Sequence, residues 1–400
     1  MKFSGRIERC ALSPIRKFHP YVVAAQAQGK KVYHLNIGQP DVPTPRAFFD
    51  AIGDFRESVL AYAPSPGVEV YLDAVKDYYC GLGFEVGRED ILATYGGSEA
   101  LQIVLSCILG EGDEILVPEP FYPNYMTFVN VTGAAIRPIP TSGAEGYRFA
   151  FRDRIEPLIN DRTRAIMVTN PGNPTGVVLS KEEMGVLVDI AKKHDLFLIG
   201  DEVYRELVYG DEPLSSFLEF TGAAENIVVV DSISKRFSAT GARVGAILSR
   251  NHELLGHALK ICQGRLCAAT LDQIGAAALY RALGEGYYAE IREQYRSRRD
   301  AVVESLKNIP GAEFRCPEGA FYLMVKLPVD DAEKLQYFLL QEFDDGGDTV
   351  MYAPGEGFYA TPGMGKSEIR IAYVTKEEDL RRAIELLGLG IAAYNKKQKE

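Results

Sequence analysis

The sequence predicts an α/β protein, with a mostly parallel sheet covered by helices on both faces and a smaller α+β domain beside it. Three observations carry this expectation. From about residue 90 to 250, short apolar runs ("EILVP", "AIRPIP", "RAIMVTN", "LFLIGD", "NIVVVDS", "VGAIL") alternate with amphipathic stretches, the rhythm of β-α-β units. Between the third and fourth runs, "SKEEMGVLVDIAKKHD" opens with Ser180 and Glu183 at capping-box spacing. It then sets Met184, Leu187, Val188 and Ala191 on one face, as a helix lying on a sheet requires. After residue 285 the pattern changes: "GYYAEIREQYRSRRDAVVESLKNI" reads as one long charged helix ending before Pro310-Gly311. Beyond it, "AFYLMVKLP" and "EIRIAYV" read as strands separated by a helix near 331–343. The large domain is therefore expected over 45–285, and the small domain over 1–44 and 286–400, with the N-terminal arm packed against it.

Composition sets the class of partner. Of 400 residues, 46% are hydrophobic and 25% charged, an ordinary globular balance. The net charge of -11 and a pI near 5.2 exclude a nucleic-acid or anionic-membrane footprint. A small anionic substrate has to be drawn by local cations. Six cysteines form no CxxC pair and five histidines no HxxxH spacing, so neither a metal site nor a disulfide framework is expected. Charges at Lys2, Arg6, Glu8, Arg9, Arg16 and Lys17 interrupt the first twenty residues, and no apolar run nears the roughly 18 residues of a membrane span. A soluble cytoplasmic protein is expected.

In an open α/β sheet, ligands lie beyond the carboxyl ends of the strands. Three successive runs end in polar candidates: Asn173 in "TNPGNPTG", Asp201 in "LIGDEVY" and Lys235 in "VVDSISKRF". Singly, these are turn, cap and surface residues. Together they are the chemistry that pyridoxal phosphate requires: a lysine for the Schiff base, and a carboxylate that keeps the pyridine nitrogen protonated. The lysine, released by substrate, is also placed to carry the α proton. The phosphate needs its own cradle. "TYGGSEALQIVLSCIL" sets Gly96-Gly97-Ser98 at the start of an apolar helix, where free N–H groups and the dipole favour an anion. Ser232 and Arg243, flanking Lys235 in "SISKRFSATGARVG", add a hydroxyl and a fixed cation.

On these motifs the chain resembles a class I/II aminotransferase of the type I pyridoxal-phosphate fold, similar to the aspartate aminotransferase group. The resemblance runs from "HLNIGQPDVPTP" to "EIRIAYV", and "NPGNPTG", "DEVY" and "SISKRFSATGARVG" fall in the family's order. It implies that Lys235 is the Schiff-base and proton-transfer lysine and Asp201 the partner of the pyridine nitrogen. Tyr204 and Asn173 are then donors to the ring's phenolic oxygen, and Tyr122 in "PEPFYPNY" the aromatic on the ring face. Gly97, Ser98, Ser232 and Arg243 become the phosphate cradle. Tyr62 in "YAPSPG" becomes the tyrosine that reaches the neighbouring subunit's phosphate, which implies a homodimer with shared active sites. Gly38 in "NIGQPD" supplies a backbone contact to substrate and Arg370 the clamp on its α-carboxylate.

The reaction so implied is ping-pong transfer of an amino group between an L-amino acid, aspartate among the candidates, and a 2-oxo acid, with glutamate and 2-oxoglutarate as one pair. A β-eliminating C–S lyase or related synthase shares the ring-binding set and is the alternative. The sensor domain of a transcription regulator would need a DNA-binding module, and only about 35 residues precede "NIGQPD". "ATPGMGKSEIRIAYV" at 360–374 fits the loose form of a phosphate loop, so an ATP-binding protein is the outlier; however, "GMGKS" runs into a strand-like segment rather than a helix. Ser98 stands where bacterial aspartate enzymes of this group often have a lysine that contacts the distal carboxylate. Arg16 in "SPIRKF" and Arg265 in "CQGRLCAAT" are the candidate replacements.

Overall fold

All six apolar runs are strands of one sheet in the computed structural model, which describes residues 1–210 and 215–400. In chain order the strands are β1 (Lys31–His34), β2 (Ile91–Thr94), β3 (Glu114–Pro118), β4 (Ala135–Ile139), β5 (Thr163–Thr169), β6 (Phe197–Asp201) and β7 (Ile227–Ser232). They continue as β8 (Gly245–Leu248), β9 (Glu313–Phe314), β10 (Tyr322–Lys326), β11 (Asp348–Met351), β12 (Ala353–Pro354) and β13 (Glu368–Ala372). The large sheet has seven strands in the order β2-β8-β7-β6-β5-β3-β4. Its middle strands are buried almost throughout, as a sheet covered on both faces demands. Leu116, Ile166, Leu198 and Val229 point into one apolar core; Ile115, Met167, Ile199 and Val230 point into the core on the other face.

The helix Lys181–Lys193 forms as its sequence dictates. Ser180 Oγ accepts from Glu183 N at 3.2 Å and Glu183 Oε2 from Ser180 N at 2.8 Å, a reciprocal cap worth about 1 kcal/mol. Met184, Leu187, Val188 and Ala191 are its buried face.

One strand departs from the expected pattern. The run "VGAIL" is not the end of another parallel unit, because β8 is antiparallel to both β7 and β2. Only residues 233–244 join β7 to β8, too few for a covering helix and a crossover. Ser232 is therefore opposite Gly245, and the chain between them folds over the end of the sheet where ligands bind.

A second apolar core surrounds the four-stranded antiparallel sheet β12-β13-β10-β9, with β1 and β11 paired in parallel nearby. Tyr33, Leu35 and Val42 pack in this core, whereas Phe48 packs in the first. The long helix Glu285–Leu306 gives Tyr288 to the first core and Ile291, Tyr295, Val302 and Leu306 to the second. In the N-terminal arm, Phe18 and Tyr21 pack on Tyr337 of the helix Ala332–Gln341. The amphipathic helix Glu377–Lys397, unassigned from the sequence, closes the second core with Leu380, Ile384 and Leu387. No helix among the described residues is long and apolar enough to cross a membrane.

Candidate active site

Register brings the sequence candidates to one end of the large sheet. Thr169 pairs with Asp201 across β5 and β6, and Asn170 N donates to the Asp201 carbonyl at 3.0 Å. The "NPGNPTG" loop and Asp201 are therefore neighbours, and Lys235 follows the next strand on the short helix Ile233–Arg236.

Lys235 Nζ donates to the carbonyl of Gly38 at 2.7 Å. Burial pushes its amine down from 10.5 to about 8, and the Arg370 and Arg243 cations push the same way against Asp201. Asp201, almost fully buried, accepts a hydrogen bond from Tyr125 at Oδ2, and its Oδ1 has no partner among the described residues. Burial pushes the carboxyl up from 3.8 to about 6, against the hydrogen bond from Tyr125. An unpartnered carboxylate oxygen aimed into a buried site is what a protonated ring nitrogen would satisfy.

Arg370 lies on β13 and is 2% exposed, yet no carboxylate pairs with it among the described residues. It donates to the Asn36 carbonyl at 2.5 Å and to Asn173 Oδ1 at 3.1 Å, and its guanidinium is centred 4.4 Å from the Tyr322 ring and 5.0 Å from the Phe358 ring. A buried cation without a counter-ion is an anion site of carboxylate size. Because Asn173 gives its oxygen to Arg370, its amide nitrogen is left as a donor. Tyr204 is 3.0 Å from Tyr322, hydroxyl to hydroxyl. Burial raises both phenols above their ordinary value, so both are neutral donors.

The residues expected to cradle the phosphate are neighbours. Gly96, Gly97 and Ser98 begin the helix Gly96–Ile108, so their N–H groups have no partner within it. Gly96 has φ +73°, and a Cβ there would lie 2.8 Å from Arg243 Nη2. Arg243 is exposed, donates to the carbonyls of Thr240 at 3.0 Å and Tyr95 at 3.4 Å, and pairs with no carboxylate among the described residues. Ser232 Oγ donates within reach of Ser234 Oγ at 2.9 Å and Val244 O at 3.0 Å. Tyr122 is half-buried at the mouth, its hydroxyl accepting from Asn124 at 2.7 Å. Its phenol is pushed up to about 12, chiefly by burial. The residues present fit pyridoxal phosphate.

The other candidates, Tyr62, Arg16 and Arg265, make no hydrogen bond to these residues among the described residues, although the Arg16 charge is near enough to Tyr122 to act on its phenol. Tyr62 is 79% exposed on an exposed stretch with Val59 and Leu60, away from its own chain's cluster. Arg16 is exposed, and no hydrogen bond or ion pair of its side chain occurs among the described residues, whereas the adjacent Lys17 pairs with Glu333. Arg265 is not a free cation: its Nε is 3.2 Å from Glu99 Oε1 and its Nη2 donates to Ala93 O at 2.6 Å. The turn at 360–367 is no phosphate loop either. Ala360 N and Thr361 N already donate to Glu119, and the segment enters β13 rather than a helix.

Three contributors escape a reading of the sequence. Tyr322 sits inside an apolar strand, and only its alternation in "AFYLMVKLP" marks it. Ser234, buried beside Ser232, and the buried Glu119 show nothing distinctive locally.

The chain matches the sequence profile of the family described as "Aminotransferase class I and II" over residues 30–387. It is 30% identical to an aspartate aminotransferase of Musicola paradisiaca, covering 98% of this chain and 97% of that one. Among solved structures it is similar to a single mutant of Thermus thermophilus aspartate aminotransferase, with TM-score 0.87, 27% identity, and coverage of 98% of this chain and 100% of that chain. It is equally similar to an alanine aminotransferase of Pyrococcus furiosus, with TM-score 0.88, 27% identity and coverage of 98% and 100%.

Proposed function

The chain belongs to the class I and II aminotransferases, which use pyridoxal phosphate, and on that premise we propose that it transfers an amino group between an L-amino acid and a 2-oxo acid by a ping-pong route. Glutamate and 2-oxoglutarate are proposed as one pair, with another L-amino acid, aspartate among the candidates, as the other donor. The observation that carries the reading is the buried, acid-free Arg370, which shares with Lys235 the backbone segment Asn36–Gly38.

Bound pyridoxal phosphate supplies an aldehyde for a lysine amine and a protonated ring that withdraws electrons from the substrate's α carbon. The chain's residues do the rest. Arg370 holds the substrate's α-carboxylate bidentately, with the Gly38 backbone beside it. Lys235, as a free amine with a lowered pKa, would take the substrate's α proton and return it. Asp201 would hold a proton on the ring nitrogen, Asn173 and Tyr204 would donate to the ring's phenolic oxygen, and Tyr122 would supply the aromatic beside it. Gly97, Ser98, Ser232 and Arg243 would hold the phosphate. Tyr62, exposed on its own chain, is assigned to the phosphate of a second copy, so the active unit is a homodimer of the 45–285 domain and its smaller companion, acting in the cytoplasm.

The test is a panel of amino donors against 2-oxoglutarate, following glutamate formation and the spectrum of the bound cofactor. Glutamate formation with parallel initial-rate lines is the expected result. Release of pyruvate or a thiol in place of transamination overturns it in favour of the lyase.

A further inference from the structure

Glu119 is a buried carboxylate, 3% exposed, with no cation paired to it among the described residues. Its Oε2 accepts from Ala360 N at 3.0 Å and Thr361 N at 3.1 Å, and its Oε1 from Thr361 Oγ at 2.6 Å. Its own backbone is fixed from the sheet side: Glu119 N donates to Ile139 O at 3.0 Å, and Thr141 Oγ donates to Glu119 O at 2.6 Å. Two residues on, Phe121 N donates to Phe358 O at 2.8 Å. The segment just past β3 is thus stitched to residues 358–361 of the smaller unit. The turn that resembles a nucleotide loop does bind an anion, and that anion is the protein's own side chain.

The two stitched segments end at the two halves of the site. On one side the next residue is Tyr122. On the other, the fully buried Phe358 forms one of the two aromatic walls about Arg370. Arg370 has no acid to orient it, so its direction rests on two oxygen acceptors and on those rings. A buried carboxylate is costly unless N–H and O–H donors satisfy it, and here three do.

We infer that Glu119 is a positioning residue: by filling the turn at Ala360–Thr361 it fixes Phe358 against Arg370, and so sets the α-carboxylate clamp relative to Tyr122. The inference rests on the aminotransferase reading, and the experiment separates the two. In the holoenzyme, Glu119→Ala should raise KM for the amino donor about tenfold or more. The cofactor dissociation constant and kcat should stay within about threefold, the pattern of lost uniform binding. Because the clamp grips the α-carboxylate, acidic and neutral donors should suffer alike. Glu119→Gln should recover most of the loss, since its amide oxygen can take both N–H groups and its nitrogen can donate to Thr361. Thr361→Val, which removes one of the three bonds, should raise KM by a smaller factor.

If wild-type protein does not transaminate, the functional reading fails. If it does, a wild-type KM in Glu119→Ala overturns the inference, whatever the melting temperature. So does a KM rise matched by loss of cofactor affinity, or a Gln variant no better than Ala. Should Glu119→Ala not fold, the Thr361→Val variant decides: an unchanged KM there overturns it.

Discussion

The Lys235 amine donates to the carbonyl of Gly38, while Arg370 donates to the carbonyl of Asn36, two residues away. One short backbone segment therefore holds the two cations to which the proposed function assigns proton transfer and substrate binding. Lys235 must leave Gly38 to react, and a backbone carbonyl, being neutral, lets it do so without breaking an ion pair.

Lys235→Ala should abolish the visible absorbance band of bound cofactor and lower turnover by about a hundredfold or more. Lys366→Ala, in the turn at 360–367, should leave both nearly intact. A cofactor band surviving in the first variant, or lost in the second, would sink the assignment.

The reactivity of that lysine should depend on pH in one direction. Its folded value is lowered to about 8, so the neutral, reactive amine predominates above that pH and is depleted below it. Cofactor uptake by the apoprotein, followed by stopped-flow absorbance, should accelerate as pH rises from 6 to 8 and level off above. Replacing Arg243 with Gln removes a nearby cation and should move the inflection upward. A rate independent of pH over that range would refute the lowered value.

The buried carboxyl of Asp201 opposes folding at neutral pH. Its folded pKa is raised from 3.8 to about 6, so the native state holds a proton more readily than the unfolded chain. The ionised carboxylate therefore disfavours folding above pH 6 by about 3 kcal/mol, an effect that fades as pH falls through 6 and vanishes below 3.8. At pH 7.5 without cofactor, Asp201→Asn should melt no lower than wild type. With cofactor it should gain less and lose most activity. A lower melting point without cofactor, or wild-type turnover with it, would contradict this.

Tyr322→Phe removes the hydroxyl that meets Tyr204 but keeps the ring beside Arg370 and Gly38. A neutral hydrogen bond is worth about 0.5–1.5 kcal/mol, so kcat should fall roughly two- to tenfold with little change in donor KM. Tyr322→Ala, which also removes the ring, should raise KM. Steady-state kinetics on the pair decides, and equal effects of the two variants would mean the hydroxyl alone matters.

Arg16 and Arg265 now carry different expectations. Arg16→Leu should lower kcat/KM for aspartate and glutamate by about tenfold or more while sparing aliphatic and aromatic donors. Arg265 is already paired with Glu99, so Arg265→Leu should leave the ratio of acidic to neutral donors as in wild type. An unchanged ratio in both variants would remove Arg16 from specificity.

Much of this site was legible because Asn173, Asp201 and Lys235 each follow an apolar run, where a polar residue stands out and a parallel sheet puts ligands. The direction of β8 was not, since an apolar run reads alike either way. Only the short 233–244 connection hinted at an antiparallel return. Glu99 and Arg265 are far apart in sequence, and nothing local announces their pairing. Tyr322 and Glu119 look like ordinary strand and loop residues until the fold brings Tyr204 against the first and Ala360 and Thr361 against the second. The two-residue strands β9 and β12 are too short to show a period.

If Arg370 is the proposed carboxylate clamp, its unaccompanied charge would also work as a filter. An amine that lacks a carboxylate does more than forgo a contact here. By covering the pocket it would strip water from a cation and offer nothing in return, so such a compound is actively repelled. Decarboxylated analogues of the true substrate, however well their side chains fit, should be kept out by the same guanidinium that recruits the acid.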